Sequence, residues 1–398
     1  MTTSEPARLR GLRHRLGAAQ RVAEVTPPPE GWIFDDEGVL RHERTDFFHV
    51  MGAELADGTR SVLLGQPEEA LVGLVVARRD GVRHALLTAR CEPGLHNGCQ
   101  FSSTVQSTPS NYRRLHGGAA TSHLDLVLDP PAGARMLHDS SQYDWGQYYL
   151  GKTKRFVIVE IDELVDTAEP HVWVDEHELA ALMVSDFAIT SDLRGALVML
   201  LAEDRGLEVA HDDAEKLDAA RARTATERLR RCDLRDVAGW DAAVGSSAAP
   251  GAPIPTSVRG VHVVSESREV AQWCQPLLAV AEPLVTQLPV RGVGTDRRFA
   301  IERRTASGLL GVELWYPLDT AASASLAIRT SAEGGRFLRH EVVVALAVET
   351  GAPIAPGATW VSLRELLALC ARPQTTAVEL RLALSLALSL ALVAEATA

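Results

Sequence analysis

The sequence predicts an α+β protein built as a tandem duplication of a mixed-sheet domain with flanking helices, and three observations carry that expectation. Short β-branched runs bounded by turn residues alternate with stretches of helical spacing. A block recurs: Trp173-Val174, Glu178-Leu179 and Ala181-Leu182 return as Trp360-Val361, Glu365-Leu366 and Ala368-Leu369 at a constant offset of 187 positions. Gln66-Pro67 returns as Gln275-Pro276 at an offset of 209, so the second copy is 22 residues shorter over that interval. Self-similarity of this kind takes precedence in reading a fold. The implied organisation is an N-terminal arm over residues 1–30, a first repeat over 31–240, a linker over 241–258 and a shortened second repeat over 259–398.

The elements follow in order. The arm carries Arg8, Arg10, Arg13, Arg15 and Arg21 without the apolar run of a signal peptide, which suits a short helix. Residues 31–52 read as strand, acidic turn (Asp35-Asp36-Glu37-Gly38) and strand. Leu71 to Val76 and Ala85 to Leu87, divided by Arg79-Asp80-Gly81, have the pattern of a hairpin. Phe156 to Ile161 is apolar and β-branched, as in a central strand, and Glu176 to Met183 shifts to helical spacing. Arg205 to Val237, charged, rich in Ala and Leu and free of Pro, predicts a solvated helix; Ala242 to Val258 predicts the linker. Leu382 to Ala394 is charge-free but, at thirteen residues, too short to span a bilayer, and is expected to be a buried terminal helix at a subunit contact.

Composition narrows the function. The 398 residues suggest about two to three domains, and 46% apolar content suffices for real cores. Forty basic against 52 acidic residues leave a net charge of −12, which argues against nucleic acid or an anionic membrane as partner. The cysteines at 91, 99, 232, 274 and 370 lack the spacing of a zinc site, and fit reduced thiols in a cytoplasmic protein. No G-x-G-x-x-G opens a helix, and no P-loop is present.

The densest chemistry lies between Gln100 and Gly118. Thr104, Gln106, Thr108, Ser110, Asn111, Tyr112, Arg113, Arg114 and His116 bring a phenol, guanidiniums, an imidazole, amides and hydroxyls into one segment, with Pro109 fixing a dihedral and Gly117-Gly118 freeing others. Thr104-Val105-Gln106-Ser107-Thr108-Pro109-Ser110-Asn111-Tyr112 through His116-Gly117-Gly118 resembles the signature of the NDP-hexose 2,3-dehydratases of deoxysugar biosynthesis. Glu92-Pro93-Gly94 and Phe47-Phe48 with Gly52 resemble that family as well. The second copy lacks a counterpart of this stretch: aligning Gln100-Phe101 with Glu313-Leu314 gives an offset of 213, whereas Asp144-Trp145-Gly146 with Ala332-Glu333-Gly334 gives 188. One copy therefore carries the complete pocket, and the other is expected to be scaffold and dimer surface.

The resemblance implies a Nudix-like fold for each repeat and a cofactor-independent, metal-free carbon–oxygen lyase. The substrate would be an NDP-4-keto-6-deoxyhexose, a dTDP-sugar in particular, and an NAD(P)H ketoreductase would consume the product. The enzyme would be a homodimer. Tyr112 and His116 are the catalytic candidates: the imidazole as base or acid, the phenol as donor to the enolate or to the leaving hydroxyl. Trp32, Thr108, Pro109, Ser110, Asn111, Arg113, Tyr143, Lys152, Trp273 and Arg336 are the substrate-binding candidates, with Arg113 and Lys152 for the diphosphate and Trp32 for the base. No segment supplies the paired glutamates of a Mg²⁺-binding Nudix helix, which argues against hydrolysis of the nucleotide sugar. Gln142-Tyr143-Asp144-Trp145-Gly146 departs from the family's Gln-Ser-Glu-Gln-Gly. That departure leaves two other readings, a nucleotide-sugar binder without catalysis and a dehydratase of a different keto-substrate.

Overall fold

The computed structural model describes residues 4–45, 47–55, 58–115, 119–203, 229–241, 256–266, 270–292, 296–304, 313–315, 324–348 and 358–396. The chain opens with α1 (Ala7–Ala18) and β1 (Gln20–Val25), then β2 (Trp32–Phe34), β3 (Leu40–His42), β4 (His49–Glu54) and β5 (Arg60–Gly65). Residues 31–52 thus hold three strands rather than two, because residues 40–42 pair with neighbours on both sides. The expected hairpin is β6 (Ala70–Arg79) and β7 (Val82–Cys91), reversing at Asp80-Gly81 with φ of 53° and 81°. Two residues at positive φ match the twist of the flanking strands.

Next come β8 (Cys99–Ser102), β9 (Val105–Ser107), α2 (Pro109–Tyr112), α3 (Asp125–Leu128), β10 (Arg135–Tyr143), β11 (Thr153–Ile161), β12 (His171–Asp175), α4 (Glu176–Met183), α5 (Ser191–Glu203) and β13 (Arg230–Cys232). Most of the helix expected over 205–237 lies outside the described residues, but its end is not helical. Arg230–Cys232 pairs with Gly52–Glu54, and Leu234–Asp236 forms a 3-10 turn capped by the Asp233 side chain. Ladder bonds to β4 override local helix propensity there. The linker residues 242–255 also lie outside, and Thr256 to Val258 already belong to a strand.

The second half comprises β14 (Thr256–Ser265), β15 (Gln272–Val280), β16 (Leu284–Arg291), β17 (Arg298–Arg304), β18 (Glu313–Trp315), β19 (Ala324–Ser331), β20 (Glu341–Val348), β21 (Thr359–Ser362), α6 (Leu363–Ala371) and α7 (Val378–Ala396). The chain is therefore α+β with several mixed sheets. Two of them share one plan. The first runs β10-β11-β6-β7-β12 with β11 parallel to β6; the second runs β19-β20-β16-β17, with β20 parallel to β16 and β21 on β17. Both closing strands enter a helix through a capping box, Asp175 with Glu178 and Ser362 with Glu365. Lone bridges Leu64 to Tyr149 and Leu278 to Phe337 recur too. The arm does not stay with the first half: β1 pairs in full register with β14.

A single apolar cluster crosses the seam, joining Trp32, Val50, Leu64 and Tyr149 to Leu278, Phe337 and the leucines of α7. Leu380, Leu382, Leu384 and Leu386 are fully buried within the chain itself, each contributing about 2 kcal/mol. Their packing against α4, α5, β16 and β20 accounts for their apolar character. No helix among the described residues is long and apolar enough to cross a membrane.

One buried acid at the start of α7 gives a measurable pH dependence. Glu379 is 1% exposed, and burial pushes its carboxyl from the ordinary 4.5 up to about 7. The folded state then holds a proton that the unfolded state releases, so stability falls as pH rises from 4.5 to 7. Glu379→Gln keeps an acceptor for the Gln147 amide, which donates to Glu379 Oε1 at 3.1 Å. Urea unfolding should find the variant more stable than the parent by about 3 kcal/mol at pH 8 and nearly equal to it at pH 4.5. Equal stability at pH 8 would exclude a raised pKa. His340, 2% exposed and pulled down to about 4 by burial, has the opposite slope: its stabilisation is lost as pH falls from 6.5 to 4. The two slopes oppose each other in the parent protein, so the single-site variants are needed to resolve them.

Candidate active site

Helix α2 begins where the signature's chemistry begins. Pro109 occupies its first position, where a missing N–H is harmless and φ is already set. Asn111 and Tyr112 donate their N–H groups to the Thr108 carbonyl, both at 3.0 Å. The remaining N-terminal donor, Ser110 N–H, is taken by Glu68 Oε1 at 2.9 Å, and Ser110 Oγ donates to Glu68 Oε2 at 2.5 Å. Four residues cannot hold a helix on their own. These outside partners fix it, and they turn Thr108 and Asn111 toward a cleft.

The cleft, of about 360 Å³, lies between this loop, β2 to β4 of the first half and β15 of the second. Its walls are aromatic. Trp32 packs on Phe48 at 4.8 Å and meets His42 edge-on at 5.6 Å; Phe47 and Trp273 complete the lining. Cations stand at its polar side: Arg336 lies over the Phe48 ring at 3.9 Å, and Arg44 and Arg114 also line the space. Arg336 Nε is buried without a hydrogen-bond partner among the described residues, and an unpaired guanidinium donor invites an oxyanion. An apolar cleft with a few convergent polar groups has the form of a small-molecule site.

Of the expected site residues, the structure brings together Trp32, Thr108, Asn111, Trp273 and Arg336. Trp32 is a wall rather than an open platform, being 4% exposed with its indole N–H donated to the Cys274 carbonyl at 3.0 Å. Pro109 and Ser110 act behind the surface, as described. Arg113 is exposed and does not line the cleft, whereas its neighbour Arg114 does. The ring of Tyr112 packs against the apolar cluster of Leu71, Val105 and Val127, and Tyr112 is absent from the cleft lining. Tyr143 lies on β10, where its carbonyl accepts from Arg381 at 2.8 Å. His116 lies outside the described residues.

Lys152 was expected at the diphosphate, but its side chain is fully buried in an interior charge cluster. Its ammonium sits 2.8 Å from Asp144 and 2.9 Å from Glu333 of the second half. Lys154 adds contacts to Asp192 at 2.8 Å and to Asp144 and Glu333 at 3.1 Å. Burial works against the Lys154 ammonium, but Asp144, Asp192 and Glu333 hold it well above its ordinary range. Burial likewise opposes the Glu333 carboxylate, and Lys152 and Lys154 hold it well below. The signature reaches this cluster through Gln106, whose amide donates to Asp192 at 2.5 Å. A Lys-x-Lys alternation at the start of a strand usually signals a solvated edge; here Lys152, just before β11, and Lys154, on it, both face inward because three carboxylates meet them.

His42, Thr45 and Gln275 complete the cleft without having been singled out in the sequence. Thr45 Oγ1 hydrogen-bonds His42 Nδ1 at 2.8 Å; Gln275 accepts from the Trp273 indole at 2.8 Å and donates to the Gly335 carbonyl at 2.8 Å. The repeated Gln66-Pro67 and Gln275-Pro276 pairs were a marker for Gln275, but only as a repeat. Nothing in the local sequence marks His42.

Residues 18–200 match the family described as NDP-hexose 2,3-dehydratase. The chain is 32% identical to a dTDP-4-dehydro-6-deoxy-alpha-D-glucopyranose 2,3-dehydratase of Streptomyces violaceoruber, across 73% of this chain and 71% of that protein. It is 29% identical to a protein of the same description from Amycolatopsis orientalis, across 88% and 82%. Among solved structures, the crystal structure of an ADP compounds hydrolase aligns over 39% of this chain and 75% of its own, at 14% identity and a TM-score of 0.20. That likeness is too slight to bear on the fold.

Proposed function

This chain belongs to the NDP-hexose 2,3-dehydratase family, and from that premise we propose that it removes water across C2 and C3 of a dTDP-4-keto-6-deoxyhexose. The observation that carries the reading is the single cleft in which Thr108 and Asn111 of the family signature meet Trp273 and Arg336 of the other half. The C4 ketone acidifies the C3 hydrogen; a base takes that proton, and the electrons move into an enolate on O4. Loss of the C2 hydroxyl as water, with a proton supplied by an acid, gives an enol that tautomerises to a 3,4-diketo sugar. The substrate's own carbonyl is the electron sink. Thr108 and Asn111 supply donors to the sugar, Arg336 faces the diphosphate, and Trp273 offers a ring to the nucleobase.

His116 is assigned the proton transfers, and Tyr112, with its ring in the apolar cluster beneath α2, is assigned the anchoring of that turn. Tyr112→Phe should then keep kcat within about threefold, while His116→Gln lowers it by about 10²-fold or more. A 10²-fold loss in Tyr112→Phe would return the phenol to the chemistry. The function itself is tested by incubating the protein with dTDP-4-keto-6-deoxyglucose and an NADPH-dependent ketoreductase and following 2-deoxy product. Absence of product, with dTDP binding retained, would favour a nucleotide-sugar binder or a different keto-substrate.

The shared sheet plan, the recurrent capping boxes and the paired bridges support a tandem duplication; we take its module to be the Nudix-like one that the family resemblance implies, with repeats near 31–240 and from the strand at Thr256 onward to 398. A cytoplasmic homodimer serving an NAD(P)H ketoreductase completes the proposal; light scattering of the purified chain tests the dimer.

A further inference from the structure

We propose that Glu68, outside the signature and outside the cleft, is the positioning residue that sets Thr108 and Asn111 at the substrate. A helix leaves its first N–H groups without internal partners. Pro109 has none to leave, and those of Asn111 and Tyr112 go to the Thr108 carbonyl. Only Ser110 N–H needs a group from elsewhere, and the Thr108 side chain does not provide one, since it makes no capping bond.

Glu68 provides it from the loop between β5 and β6. Its two oxygens take the two donors of one residue, Ser110 N–H at 2.9 Å and Ser110 O–H at 2.5 Å. Ser110 is 7% exposed and Glu68 is half-buried, so the paired bond is partly shielded from water. Thr108 Oγ1 lies 3.2 Å from Ser110 Oγ, and Asn111 is the next residue. The cleft-facing groups on either side of Ser110 are thus held by one carboxylate. The loop beyond turns at Arg114, which has φ of 58°, so α2 cannot gain rigidity by lengthening.

The inference rests on the dehydratase reading only for its effect on turnover. Its structural content is tested separately, by amide hydrogen exchange over residues 108–115 in the parent, Glu68→Ala and Glu68→Gln. Glu68→Ala should exchange at least about tenfold faster there while its unfolding midpoint stays close to that of the parent. In Glu68→Gln the carbonyl accepts Ser110 N–H and the amide donates to Ser110 Oγ, so exchange should return toward the parent rate. With dTDP-4-keto-6-deoxyglucose as substrate, Glu68→Ala should lower kcat/KM by about 10- to 100-fold, as expected for a misplaced contact, with recovery in the Gln variant. Unchanged exchange in Glu68→Ala overturns the proposal whether or not the protein is a dehydratase. Faster exchange with unchanged kcat/KM overturns the positioning role. If the parent gives no product, the function is rejected; dTDP affinity, measured calorimetrically, then replaces kcat/KM, and an unchanged affinity overturns the positioning role in the same way.

Discussion

Gly94→Ala is expected to destabilise the protein by more than about 4 kcal/mol, in the range where single substitutions are exceptional. Gly94 lies where the two halves touch backbone to backbone. Its N–H donates to the Gly334 carbonyl at 2.8 Å, and its carbonyl accepts from Arg339 N–H at 2.7 Å. A methyl group there would overlap the Phe337 carbonyl oxygen and stand 2.7 Å from that of Gly334. No rotamer relieves a clash between a Cβ and main chain, so the halves must separate or the strands must move. Gly11→Ala is the control: on α1 nothing approaches its Cβ within 4 Å, and alanine should stabilise that helix by about 0.5–1 kcal/mol. Urea unfolding of both variants checks the pair; a Gly94→Ala protein within 1 kcal/mol of the parent would show that the seam is not close-packed.

Lys154→Met is expected to cost about 3–5 kcal/mol, the usual result of removing one partner from a buried ion pair. Asp144, Asp192 and Glu333 face two ammoniums, and with Lys154 gone Asp192 loses the lysine bonded to both its oxygens. An adjacent residue sets the scale. Arg155 pairs with Asp139, both side chains more than a third exposed, and Arg155→Met should change stability by less than about 1 kcal/mol. Equal effects at 154 and 155 would mean that water reaches the interior cluster. Because Glu333 ties Lys152 and Lys154 to the turn that carries Arg336, the Lys154 variant should also weaken dTDP binding.

The residues differ in how far their roles could be read in advance. The hairpin at Asp80-Gly81, the strand around Phe156 and the helix from Glu176 were legible because each is specified by its own neighbours: a turn needing positive φ, a β-branched run, a shift to helical spacing. The signature was legible for the same reason, and it led to Thr108 and Asn111. Lys152 was not, since a lysine reads alike whether water or carboxylates surround it, and Glu333 lies 181 positions away. Arg230 to Cys232 shows the same limit for secondary structure, where pairing with β4 outweighs helix propensity.

The sequence by itself determined the family, the α+β class, the recurring blocks and the loop that bears the polar groups, all of which rest on local pattern. Only the tertiary structure decided that Trp273, Gln275 and Arg336 close the cleft opened by Trp32, Phe48 and Asn111, that Glu68 caps the signature helix, and that Lys152 turns inward. The physical reason is common to the three. Each depends on which distant group supplies a missing hydrogen bond or opposite charge, and the spacing of residues along a chain does not encode that partner.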